Sequence, residues 1–180
     1  MADFLGCSRD TRPVVSWNPC TSGYYPVNGV SVGLDCNDTV YVARAWYKGA
    51  LVPGKLHVGL RYATIPWGDK EVPCKSYEVL LAPQGVLKWV KSEKGERVEG
   101  AVIGGFMPDG EELFIGRVQI CGAFASGAIQ PSRKCLLIPS QGTVRKTCTH
   151  CHPYEILVSQ FSLPFFEFFP LFDKSPFTYL

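Results

Sequence analysis

At 180 residues the chain is long enough for one compact domain with a substantial core. A net charge of +2 gives no electrostatic case for binding nucleic acid or an anionic membrane. The 18 glycines and 14 prolines favour short strands and tight turns over long helices, and no apolar run reaches the length of a membrane span.

Met1–Asp10 lacks a basic start followed by an apolar run, so no secretory signal is read and the expected compartment is the cytoplasm. The eight cysteines are even in number, which would suit disulfides in a secreted protein; in a cytoplasmic one they are expected to be thiols. Residues 1–27, with Pro13, Pro19, Pro26 and a Gly-Tyr-Tyr-Pro turn, read as an irregular arm with room for an edge strand. Val40–Ala45 alternates in β-branched and aromatic residues and reads as a strand that Trp46 and Tyr47 extend to a turn at Lys48-Gly49. Pro53-Gly54 is a turn signal, Leu56–Ile65 a strand candidate, and Glu78–Leu81 another. Residues 83–100 read as a linker holding a short strand at Val86–Val90 and a solvated turn. Ala101–Gly105, a Pro108-Asp109-Gly110 turn and a strand at Leu113–Ile120 follow. The aromatic stretch 159–180, broken by Pro164, Pro170 and Pro176, reads as surface packing or as a sticky segment able to reach a membrane surface or another copy.

Laid against itself, the chain repeats. Tyr41-Val42-Ala43-Arg44-Ala45 corresponds to Phe114-Ile115-Gly116-Arg117-Val118, Gly49-Ala50 to Gly122-Ala123, and Ile65-Pro66 to Ile138-Pro139, each 73 residues apart. Tyr77-Glu78-Val79-Leu80 corresponds to Tyr154-Glu155-Ile156-Leu157 at an offset of 77, so the second copy carries a four-residue insertion. The expected fold is all-β: two tandem pseudo-symmetric antiparallel repeats, 28–82 and 101–158, packed into one domain.

Cys148-Thr149-His150-Cys151-His152 falls in that insertion. It has the Cys-x-x-Cys-His form of haem attachment and resembles half of a zinc site through Cys148, Cys151, His150 and His152. Simple insertion-loop thiols are the bland alternative, and no resident cofactor or metal is expected. With three histidines and no nucleophile elbow or phosphate-cradling loop, no catalytic arrangement stands out, and the chain reads as non-enzymatic.

Gly33-Leu34-Asp35, Tyr41-Val42-Ala43-Arg44, Gly49-Ala50-Leu51-Val52-Pro53-Gly54-Lys55, Ile65-Pro66, Gly68-Asp69-Lys70-Glu71 and Tyr77-Glu78-Val79-Leu80 occur in one order. In these the chain resembles the DM-nine repeat family over about residues 28–158. That resemblance implies a mannose-binding lectin of innate or host–microbe recognition, acting as a homodimer on mannose-containing glycans. It carries the sugar contacts onto Asp35 and Lys55. A carboxylate that accepts and an ammonium that donates can clamp vicinal hydroxyls. Without the resemblance, Asp35 reads as a turn former and Lys55 as a solvated turn residue. His57, Lys70 and Glu71 are possible secondary contacts, although Lys70 and Glu71 also read as a surface ion pair. The second copy has Met107, Ser126-Gly127-Ala128 and Thr143-Val144 where the first has Asp35, Pro53-Gly54-Lys55 and Lys70-Glu71. One working site per chain, in the first repeat, is therefore expected. An interaction scaffold without sugar affinity and a zinc- or redox-responsive protein are the alternative readings.

Overall fold

Apolar–polar alternation runs through most of the chain, and strands form along most of it. The computed structural model describes residues 15–148 and 153–161. The first seven strands are β1 (Ser16–Thr21), β2 (Ser31–Asp35), β3 (Asp38–Tyr47), β4 (Ala50–His57), β5 (Ala63–Trp67), β6 (Lys70–Cys74) and β7 (Ser76–Leu81). The next seven are β8 (Leu87–Ser92), β9 (Ile103–Phe106), β10 (Glu112–Ile120), β11 (Ala123–Gln130), β12 (Cys135–Ser140), β13 (Thr143–Cys148) and β14 (Tyr154–Ser159). Helix among the described residues is one 3-10 turn at Pro131–Arg133. None is long and apolar enough to cross a membrane.

The strands hydrogen-bond in the order β1-β7-β3-β4-β5-β6-β13-β12-β11-β10-β14-β8. Read from either end, this path has the same pattern, because β1 to β7 correspond in turn to β8 to β14. The halves meet where β6 pairs with β13, Lys70 opposite Thr143. Strand β2 pairs with β3, while its counterpart β9 pairs both with β10 and, across the repeat boundary, with β4. The β9–β4 bridge, Leu51 opposite Phe106, closes β4-β5-β6-β13-β12-β11-β10-β9 into a barrel. The fold is all-β with two pseudo-symmetric repeats.

One apolar core centres on the first repeat, around Val52, Leu56, Ile65 and Val79, and takes in Leu113 and Ala128 of the second; another lies in the second repeat around Phe114, Ile129, Leu136 and Ile156. A third core is shared, joining Val32, Val40, Val42 and Leu80 to Ile115 and Leu157. Matching arginines lock the repeats together. Arg44 Nε donates to Glu78 at 2.6 Å, its guanidinium lies 4.0 Å from the Trp17 ring centroid, and Nη1 reaches the Gly104 carbonyl of the other repeat. Arg117 repeats the pattern with Glu155 at 2.7 Å, Trp89 at 4.5 Å and the Val32 carbonyl at 2.8 Å.

Two expectations change. Pro53-Gly54 makes no turn; both residues are buried within β4. A β-carbon built on Gly54 would lie 2.0 Å from the Thr64 carbonyl oxygen, and one on Gly127 1.9 Å from the Leu137 carbonyl oxygen. The missing side chains let β5 and β12 cross against β4 and β11, so glycine here serves close approach, not chain reversal. Leu56–Ile65 is two strands, parted by a turn in which Leu60 N–H donates to the His57 carbonyl and Gly59 has φ +95°. The arm and the linker both supply strands: β1 pairs along all of β7, and β8 along all of β14. Without them the two Tyr-Glu strands would present bare backbone edges. Pro19 is tolerated because β1 ends the sheet. Residues 149–152, which contain His150, Cys151 and His152, and the aromatic residues 162–180 lie outside the described residues.

Candidate binding site

The β2–β3 hairpin turns on Cys36 and Asn37, at φ 50° and 73°, with Asp35 opposite Asp38. Two left-handed residues make the primed turn that suits the twist of paired strands, and asparagine tolerates it. The turn sets the Asp35 carboxylate at the strand end, half-buried. Strand β4 contributes Lys55 and His57, two residues apart and therefore on one face. His57 Nε2 lies 3.8 Å from Asp35 Oδ2. Its Nδ1 lies 2.7 Å from the Val58 carbonyl. A carbonyl only accepts, so Nδ1 carries the proton and, in the neutral ring, Nε2 faces Asp35 as a lone pair.

Lys55 stands opposite Thr64 of β5, half-buried. Burial pulls its ammonium below the ordinary lysine range, while the Glu71 and Asp35 carboxylates act in the opposite sense. No carboxylate lies within the 4 Å of an ion pair among the described residues. Glu71 instead accepts the Gly142 N–H at 2.7 Å and ties β6 to the second repeat. The structure thus brings Asp35, Lys55 and His57 together, with the Glu71 charge nearby. Lys70, adjacent to Glu71 on β6 and so facing the other way, is exposed and does not join them.

In the second repeat the same region is closed. Ala128, buried, stands where Lys55 does. Gln130, the counterpart of His57, donates to Glu111 at 2.8 Å, and the Ser132 N–H and hydroxyl donate to the same carboxylate at 2.7 and 2.9 Å. Glu111 is the acidic residue here, while Asp109 only caps the Glu111 N–H within the turn. Sequence alignment put Met107 in register with Asp35. The longer turn displaces the carboxylate, although Gln130 at 73 residues from His57 marked the place. Burial pushes the Glu111 carboxyl up, but its three hydrogen bonds outweigh that and hold it below the usual range. Its folded pKa is depressed, so Glu111 stabilises the fold above the unfolded value, and this contribution is lost as pH falls through the folded one. Glu111→Gln is expected to flatten the acid limb of the pH–melting-temperature curve below about pH 4.5, measured by thermal denaturation.

Cys148 ends β13 directly opposite Cys135. Cys20, Cys36, Cys74 and Cys121 are free thiols, and no group of three or more metal-ligating side chains forms among the described residues. Two surface cavities of about 460 Å³ lie elsewhere, one lined by Asp69, Arg133, Cys135 and Lys146, the other by Tyr24, Arg44, Trp46 and Glu78 among others. Neither cavity is lined by Asp35 or Lys55.

The family model of the DM9 repeat matches residues 5–74 and 34–147, overlapping spans that together cover most of the chain. The chain belongs to the DM9 repeat family. Its β1 and β2–β6 fall in the first match, and the junction of the two halves in the second. Among solved structures, the crystal structure of the nematode sperm cell motility protein MFP2B aligns with a TM-score of 0.59 over 90% of this chain at 15% identity. This DM9 chain covers 53% of the nematode protein, so it spans about half of that length, and the likeness is one of fold. A sequence search of curated proteins returns no match.

Proposed function

We propose that this DM9 protein is a non-catalytic carbohydrate-binding protein of the mannose type, with one site per chain formed by Asp35 and Lys55. The observation that carries the reading is the state of Lys55: a half-buried ammonium, opposed by desolvation, with no carboxylate at ion-pair distance among the described residues. Such a charge is costly to keep unless a ligand uses it. A sugar diol bridging Lys55 and Asp35 would receive a donor from one and offer hydrogens to the other. Pairing of two chains would add avidity to a weak monosaccharide site, and action in the cytoplasm or after release belongs to the same reading.

The test is retention on immobilised mannose. Asp35→Ala and Lys55→Met are expected to abolish it. The folded pKa of Lys55 lies below its unfolded value, so its contribution to folding is full only above the unfolded pKa and is lost as pH falls through the folded one. At neutral pH the charged lysine therefore opposes folding, and Lys55→Met is expected to melt at the same or a higher temperature while losing retention. Wild-type binding is expected to weaken as pH rises through the Lys55 pKa, below the usual lysine range near about 10.4. Full retention by both variants sinks the proposal, and a lower melting point with retention intact makes Lys55 a structural residue. An interaction scaffold without sugar affinity is the second reading, favoured by the closed second copy. Silence on immobilised mannose and on a glycan array, with a stable protein partner, would select it.

A further inference from the structure

The cleft between β1, β7 and the end of β3 lies away from Asp35 and Lys55. It is a cavity of about 460 Å³, within the range of small-ligand sites. Two of its walls are aromatic side chains left in solvent, Tyr24 at 61% exposure and Trp46 at 57%. Phe106 meets the Trp46 indole edge-on at 5.4 Å, and the Tyr77 hydroxyl donates to the Tyr24 backbone carbonyl at 2.9 Å, which fixes the main chain that carries the Tyr24 ring. The polar lining is equally ordered. Thr21 and Ser76 stand directly opposite each other in the β1–β7 pair, and neither hydroxyl makes a hydrogen bond among the described residues. Glu78 uses Oε2 for Arg44, whose guanidinium neutralises it, so the cleft offers acceptors without a net charge. In the second repeat Gln119 occupies the place of Trp46 and Pro153 that of Ser76. The aromatic platform thus belongs to the first repeat.

We infer that this cleft is a second saccharide site, in which a pyranose ring lies against Trp46 and Tyr24 while its hydroxyls meet Thr21, Ser76 and Glu78. A pyranose has one face of C–H groups and an edge of hydroxyls that donate and accept, which matches exposed aromatic side chains beside neutral polar groups. A cationic ligand would find Glu78 already paired with Arg44, and an anionic one would find Arg44 already paired with Glu78. Lys55 pairs with Val42, and Trp46 lies four residues further along β3, so the two sites are separated by about 13 Å of strand. They can be filled independently, and one chain would hold two points of a branched or extended glycan. The assignment of sugar as ligand rests on the function proposed above.

The indole N–H signals of isotope-labelled full-length protein are followed while methyl α-mannoside or a linear α-mannotriose is added. The variants are Lys55→Ala, Trp46→Ala and Tyr24→Ala, the last leaving the backbone acceptor of Tyr77 in place. In Lys55→Ala, mannotriose is expected still to shift the Trp46 signal, and Tyr24→Ala to weaken that shift's apparent affinity by roughly fivefold to tenfold. Trp46→Ala is expected to lose about the same affinity for mannotriose on immobilised glycan while keeping Lys55-dependent retention on mannose. A Trp46 signal that stays still in a protein that binds mannose through Lys55 overturns the second site alone. Absence of any saccharide binding in the wild type overturns the mannose reading and this one together. A proline-rich peptide that moves the Trp46 signal where mannotriose does not would reassign the cleft to peptide.

Discussion

Gly54→Ala is expected to lower the melting temperature by roughly 6–12 °C, from a cost of about 3 kcal/mol in a chain of this size. The added carbon would sit 2.0 Å from the Thr64 carbonyl oxygen, with Ile65 at 3.0 Å behind it. Backbone cannot give way there as a flexible side-chain end can. Relief requires β5 to move off β4 at the Lys55–Thr64 pair, which is where the barrel passes from one strand to the next. The neighbouring ammonium moves with it, so mannose retention is expected to fall in the same variant. Gly68→Ala is the control: nothing lies within 4 Å of its built β-carbon, and only the positive φ of 60° opposes the change, at about 1 kcal/mol. Thermal denaturation of the two variants measures the contrast. Equal, small losses would mean that the crossing of β4 and β5 is looser than the 2.0 Å approach requires.

Arg117→Ala is expected to cost about 2–3 kcal/mol in urea denaturation, at the lower end for a paired buried charge because the pair is partly open to water. Three interactions disappear together: the 2.7 Å bond to Glu155, the stacking between Trp89 and Phe124, and the 2.8 Å bond to the Val32 carbonyl of the first repeat. Arg117→Lys keeps the charge but neither the fork nor the flat face, and is expected to recover less than half of the loss. Arg44→Ala is expected to behave alike, and more mildly across the boundary, since its reach to Gly104 is 3.4 Å against 2.8 Å. Because each arginine and the shared core join one repeat to the other, unfolding of the wild type is expected to be a single transition by tryptophan fluorescence and by circular dichroism. Two resolved transitions would show that the halves stand independently.

How much of this was legible beforehand differs from element to element. The strands at Val40–Tyr47 and Leu113–Ile120 were readable because alternation over so many residues has few other outcomes. The Arg-Ala and Arg-Val pairs of the two copies showed the duplication, but not that each arginine serves the opposite repeat. Pro53-Gly54 misled because local turn preference and close strand crossing use the same residue, and only the position of β5 separates them. In the site, the spacing of Lys55 and His57 was enough to set them on one face. That Asp35 approaches His57 depended on β2 and β4 both pairing with β3, and that Glu71 is drawn to Gly142 on how hairpins distant in sequence meet. Glu111 meets Gln130 and Ser132 through the pairing of β10 with β11, and Tyr24 joins Trp46 around one cleft through the packing of β1 on β7.

By itself the sequence determined the class of structure, the number of copies and the divergence between them, because periodicity, turn chemistry and repeated anchors act over short spans of chain. It also determined that the first copy keeps Asp35 and Lys55 while the second has Met107 and Ala128. Only the tertiary structure decided that β9 leaves its own repeat to close the barrel on β4, and that Lys55 lies in a strand instead of a turn. It also decided that the lysine's charge is left half-buried without a close carboxylate among the described residues. Desolvation and carboxylate distance are set by every element that packs around a group, and no local run of residues encodes them.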